Sequence, residues 1–157
     1  MTIVHPKLAK ASFERAIQPL LARKDSYGNL GIHMRSFTYP FLDVDFDWRA
    51  HGRVIRLRID ATDYPYRPVS GYWTDQDGSR LLPGRGLVPI GAGFHTSDQT
   101  GKPATWFCFK GWRAYYDHQS HQDTSWASLR RNHSYSVPQL IQQLHWDLNN
   151  SLGVEAT

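Results

Sequence analysis

The stretch ATWFCFKGW, residues 104–112, contains the only cysteine of the chain, Cys108, between Phe107 and Phe109 and four residues before Trp112. A thiolate is a strong nucleophile, and only Cys108 can supply one here. Lys110 and Arg113 would favour the thiolate by charge, and the two flanking phenylalanines would oppose it by desolvation. The same residue type is also a small apolar filler of strands, so the cysteine alone leaves both roles open. Downstream lies DHQSHQD, with Asp117, His118, His121 and Asp123. His118 or His121, its tautomer fixed by a carboxylate, could take a proton from, or donate a hydrogen bond to, a group reacting at the cysteine. With His133 these residues also offer enough nitrogen and oxygen donors for zinc. An HxxH pair with no partnering glutamate is a low-specificity signal, however, and a zinc site would leave Cys108 unused, so no metal is expected.

The bulk of the sequence bounds these readings. The 157 residues, 40% hydrophobic and 13% aromatic, suit a single domain over residues 1–157 with a core of its own. One cysteine cannot form an internal disulfide. The N-terminal MTIVHPKLAK lacks the apolar run of a secretion signal, and no stretch is apolar enough to span a membrane, so a cytoplasmic protein without membrane partners is expected. The net charge of +4 would permit nucleic-acid binding. Against this, Asp43, Asp45, Asp47, Asp60 and Asp63 sit close in sequence to Arg53, Arg56 and Arg58, which reads as a mixed surface rather than a basic patch.

The elements that must position Cys108 emerge from periodicity. Residues 6–24 read as a helix with Leu8, Phe13, Ile17, Leu20 and Leu21 on its inner face, Gly28 beyond its end, and a kink or restart at Pro19. From Leu30 to Trp73 the period is two. Leu30, Ile32, Met34 and Ser36 share one side. Leu42, Val44, Phe46 and Trp48 alternate with aspartates. Val54 or Ile55 lines up with Leu57 and Ile59. This predicts an antiparallel meander with one wet face. Residues 74–105 are rich in glycine and proline and read as a long irregular segment. A final helix starts near Ser136, turns Leu140, Ile141, Leu144, Leu148 and Leu152 inward, and stops at Gly153. The order predicts an α+β fold: N-terminal helix, four-stranded antiparallel meander, long irregular segment, C-terminal helix.

After the third strand comes DYPYRPVSGYW, where Pro65 and Pro68 prevent ladder pairing and predict an extended exit from the sheet. A helix, a meander, a YPxxP exit, an irregular loop, then a lone cysteine followed closely by tryptophan resembles the ubiquitin-conjugating (E2, UBC-like) family. Tyr64, Pro65 and Pro68 match that family's exit motif, Gly101 and Cys108 its glycine and active-site cysteine, and Trp112 its following tryptophan. The family's His-Pro-Asn triplet is represented by His95-Thr96-Ser97, so its oxyanion-supporting asparagine has no counterpart. The short region after Cys108 looks more like the divergent bacterial members found in anti-phage defence clusters.

The resemblance implies a UBC-like fold and a thioester relay. Cys108 would receive a ubiquitin-like protein from an E1-like activating enzyme and pass it to an amine of a target protein. ATP would be used by the activating enzyme, with no cofactor on this chain. The resemblance further implies that the activating enzyme docks on the first helix, whose wet side carries Lys7, Lys10, Arg15, Arg23 and Lys24. Two rivals stand beside this reading: an E2-variant binding module with a structural Cys108, and a metal-dependent enzyme built on His118 and His121.

Overall fold

The computed structural model describes residues 3–84, 86–118 and 125–154. The alternation in FLDVDFDW becomes strand β2 (Phe41–Trp48), which buries Leu42, Val44, Phe46 and Trp48 on one face. Strand β2 pairs antiparallel with β1 (Ile32–Thr38) and β3 (Arg53–Asp60), and β4 (Ser70–Thr74) completes a sheet in the order β1-β2-β3-β4. The four-stranded antiparallel meander expected from the sequence is therefore present.

Two details of its faces differ from the simple alternation. The β1–β2 register shifts between Met34 and Ser36, so Phe37 rather than Ser36 packs against the core. One extra residue in a strand inverts the facing of every later residue. In β3 the inward position belongs to Ile55, while Val54 is half exposed.

The opposite face is not simply wet. The register sets Asp45 against Arg56 and Asp43 against Arg58. Asp45 is only 2% exposed, and accepts Arg56 Nε at 2.8 Å and Arg35 Nε at 2.6 Å. Asp43 accepts both Arg58 Nε at 2.8 Å and Nη2 at 3.0 Å. Arg35, Arg56 and Arg58 are thus committed to cross-strand carboxylates.

Helix α1 (Pro6–Ala22) buries Ala9, Phe13, Ile17 and Leu20, at spacings that match one stripe of a 3.6-residue period. Leu8 and Leu21, expected inside, fall off that stripe and are exposed. Pro19 is accommodated within α1 because residues 15 and 19 are both exposed, where a carbonyl that loses its helical partner meets solvent. The helix ends at Ala22, with the Arg23 N–H bonded to Pro19 O, and restarts as α2 (Lys24–Leu30). Gly28 therefore lies inside α2, and Gly31, at φ +93°, terminates it. Lys7, Lys10, Arg15, Arg23 and Lys24 are exposed as expected.

Two short helices, α3 (Arg113–Asp117) and α4 (Trp126–Leu129), precede helix α5 (Val137–Asn149), which starts after Ser136 with Pro138 in its first turn and buries Leu140, Ile141, Leu144 and Leu148. It stops four residues before Gly153. The Asn149 side chain donates to Asp47 O at 3.1 Å and accepts the Arg49 N–H at 2.9 Å, which ties the helix end to the end of β2. Leu152 and Gly153 belong instead to strand β8 (Leu152–Val154). Helices α1 and α5 contact each other and, with the inner face of the sheet, enclose one hydrophobic cluster. Among the described residues no helix is long and apolar enough to cross a membrane.

The segment expected to be irregular holds three short strands: β5 (Val88–Ile90), β6 (Phe94–Ser97) and β7 (Pro103–Phe107). Strands β6 and β7 form a hairpin, and β5 pairs with β8.

Asp45→Asn leaves Arg35 and Arg56 facing a neutral group in a covered site, and is expected to cost about 3 kcal/mol of stability in urea unfolding at pH 7. Burial pushes the Asp45 carboxyl up, but the hydrogen bonds and charges of Arg56 and Arg35 outweigh it and hold it below its usual value. A depressed carboxyl stabilises the fold above the unfolded-state pKa and loses that contribution as pH falls through the folded value. The gap between wild type and variant should therefore narrow below about pH 4.

Candidate active site

Strand β3 ends where Asp60 accepts the backbone N–H and the hydroxyl of Thr62, at 2.9 and 2.7 Å. The chain then folds into a compact turn rather than the extended exit expected from the prolines. Tyr64 N–H reaches Ala61 O, Arg67 N–H reaches Asp63 O, and Tyr64-Pro65 is a cis peptide. Asp63 sits at the bend with φ +65°, and its buried carboxylate accepts the N–H groups of Ile3 and Val4 at 2.7 and 2.9 Å. Those two donors, the Val4 N–H foremost, hold its carboxyl below the ordinary value. Tyr64 is buried edge-on against Phe13 of α1, with ring centroids 5.6 Å apart.

This turn is where the segment after Cys108 docks. Arg113 donates Nε to Pro68 O at 2.9 Å and Nη2 to Thr62 O, while its own N–H bonds Val69 O at 2.8 Å. The Trp126 indole donates to Pro65 O at 2.8 Å. Trp112 is buried edge-to-face against Phe107, at 5.0 Å between centroids. Both rings close over Gly71 of β4, where an added Cβ would lie 2.9 Å from each. Tyr64, Pro65, Pro68 and Trp112 are thus brought into one unit, and their part in it is structural. Arg113, expected to favour a thiolate, is instead spent on carbonyls.

Cys108 comes directly after β7. Its N–H bonds Gly93 O at 2.8 Å, which extends the β6–β7 ladder by one step. Along β7, Thr105 and Phe107 are buried while Ala104 and Trp106 are only partly covered, and Cys108 continues the outer row with intermediate exposure. The thiol is therefore at the surface, beyond the core filled by its neighbour Phe107. Burial nonetheless pushes it up from its ordinary value.

Gly101 is not beside the cysteine. It occupies the β6–β7 turn at φ +85°, where Asp98 accepts the N–H groups of Thr100 and Lys102. From there the chain runs up β7 for roughly 20 Å before reaching Cys108. The glycine opposite Cys108 is Gly93, at φ +87°, where a Cβ would meet the Phe109 ring at 2.5 Å.

His118 caps the short helix α3 (Arg113–Asp117) and lines a shallow cavity of about 360 Å³ with Arg80, Thr105, Trp106 and Asp117. His121 and Asp123 lie outside the described residues. His133 lines a different cavity, with Lys110, Tyr135 and Asp147. Among the described residues no three carboxylate, histidine or cysteine groups are placed to hold a metal.

A residue not considered as a proton acceptor from the sequence joins this face. His95 in β6 is registered opposite Trp106, and the two rings stack at 4.1 Å and 21°. Desolvation, and then the neighbouring His118, lower its pKa. The signal that could have found it is the turn chemistry of DQTG. Reading Asp98–Gly101 as a hairpin turn sets the two flanking segments side by side.

A raised thiol pKa makes a direct prediction. The rate of Cys108 alkylation by iodoacetamide, monitored by intact mass, should climb about tenfold per pH unit from pH 7 to pH 9. A plateau beginning below pH 8 would contradict the burial of this thiol.

A scan against models of known protein families and a search of curated proteins found no match to this chain.

Proposed function

We propose that this chain is a UBC-like, E2-type conjugating domain in which Cys108 carries a ubiquitin-like protein as a thioester. The observation that carries this reading is the fastening of the YPYRP turn to the segment after Cys108, through Arg113 and Trp126. Elements that the resemblance orders only along the sequence act here as one support, with a partly covered cysteine at its outer edge.

The chemistry is two exchanges at one carbonyl. The Cys108 thiolate attacks the thioester formed on an E1-like activating enzyme, the enzyme's thiolate leaves, and the modifier is transferred. An amine of a target protein then attacks the new thioester, the carbon–sulfur bond breaks as the carbon–nitrogen bond forms, and the proton lost by nitrogen returns to sulfur. ATP is consumed by the activating enzyme alone. The setting implied by the resemblance is bacterial anti-phage defence in the cytoplasm, with the exposed basic side of α1 as the face for the activating enzyme.

A second reading keeps this fold and drops the chemistry: an E2-variant binding module in which Cys108 is structural. It is favoured by the upward shift of the thiol and by the engagement of Arg113 elsewhere. A metal-dependent enzyme has less support, because His118 and His133 line separate cavities.

Incubation with ATP and cognate E1-like and ubiquitin-like proteins separates the readings. The conjugating reading expects an added mass of one modifier that is released by dithiothreitol and absent in Cys108→Ser. A demonstrably charged activating enzyme with no adduct on this chain selects the binding module.

A further inference from the structure

We propose that His95 is a catalytic residue of aminolysis, the acceptor of the proton that the attacking amine loses. The inference rests on the thioester reading of Cys108. Its ground is the hairpin register. His95 stands opposite Trp106, and Cys108 is one step further along the same outer row, bonded through its N–H to Gly93. Cys108 is therefore the diagonal neighbour of His95, at a backbone separation of about 7–8 Å. The imidazole lies against Trp106 rather than bonded to the thiol. That spacing leaves room for an acyl carbon on sulfur and an incoming nitrogen between the two, as a base in aminolysis requires.

Three further features fit the role. The imidazole is stacked face to face on Trp106, which limits its rotation, and Trp106 is itself held by an indole hydrogen bond to Ser97 O at 2.8 Å. The ring is partly exposed and can be reached from solvent. Partial burial and the nearby His118 both favour its uncharged form, which is the form that accepts a proton at neutral pH. The titratable and charged groups bordering this face are Cys108 after β7, His118 and Asp117 at the end of α3, Asp98 in the hairpin turn and Arg80 after β4. In the step itself the amine nitrogen bonds to the thioester carbon and passes its proton to the imidazole. The carbon–sulfur bond then breaks, and the imidazolium returns the proton to the Cys108 thiolate, leaving an amide, a thiol and neutral His95.

The test needs no protein partner. Cys108 is acylated with a glycylglycine thioester of 2-mercaptoethanesulfonate, free lysine is added, and loss of the acyl group is monitored by intact mass between pH 5 and pH 9. In wild type the logarithm of the discharge rate should rise by one per pH unit, as the amine deprotonates. It should steepen to two below a pH lower than the ordinary histidine pKa. In His95→Gln the rate should fall by about 10²-fold at pH 7.5 and the slope should stay at one throughout, while charging of Cys108 is unchanged. Imidazole added to His95→Gly should restore part of the lost rate. Normal discharge and an unchanged profile in His95→Gln would overturn the proposal and leave the thioester reading standing. Failure of Cys108 to take the acyl group at all would overturn both.

Discussion

Arg113 reaches back from the segment after Cys108 to the carbonyls of Thr62 and Pro68, and its N–H holds the carbonyl of Val69. These three contacts bridge parts of the chain more than forty residues apart. They depend on a particular backbone shape: the turn after β3 must present its carbonyls outward, where a cation can collect them. Charge-assisted bonds from a planar guanidinium are among the stronger ones available to a protein, and two on one side chain fix orientation as well as distance. Trp126 adds a further carbonyl, that of Pro65. With the turn held in this way, Trp112 and Phe107 close over Gly71, and the chain between them must pass the thiol along the outer edge.

The sheet supplies the rigid side of this arrangement. Its inner face is filled by the alternating apolar residues of β2 and β3 together with α1 and α5. Its outer face is cross-linked by carboxylates and arginines set opposite one another by register. Pairs of this kind contribute little when bathed in water and more when covered, and Asp45 is covered. The hairpin that carries His95 and leads into Cys108 is attached at the far edge of this platform, through β4, Phe107 and Trp73.

The parts of the fold that could be read from the sequence were those with long, clean periodicity. FLDVDFDW and RVIRLRID give their strands directly, and VPQLIQQLHWDLN gives its helix. Reading failed where one residue alters a pattern or a partner is distant. The bulge in β1 exchanged Ser36 for Phe37 at the core. Strand β5 has only three residues and pairs with residues more than sixty positions away, so neither length nor neighbours disclosed it. The two prolines correctly signalled an end to ladder pairing, but Asp60 and Asp63 folded residues 61–67 into a turn. The aromatic surroundings of Cys108 were legible from residue type. The placement of Gly101 was not, because linear proximity to the cysteine concealed a strand running between them.

Amide hydrogen exchange at two positions tests most directly whether the turn sets the place of the thiol. The Cys108 amide is bonded to Gly93 O, and the Arg113 amide to Val69 O. Both should be protected in wild type. In Arg113→Met, with the amides of β2 and β3 still protected, both should lose protection together, because releasing the turn frees the whole segment. A Cys108 amide that stays fully protected while that of residue 113 exchanges freely would show that the hairpin holds the thiol without the turn, and would contradict the account.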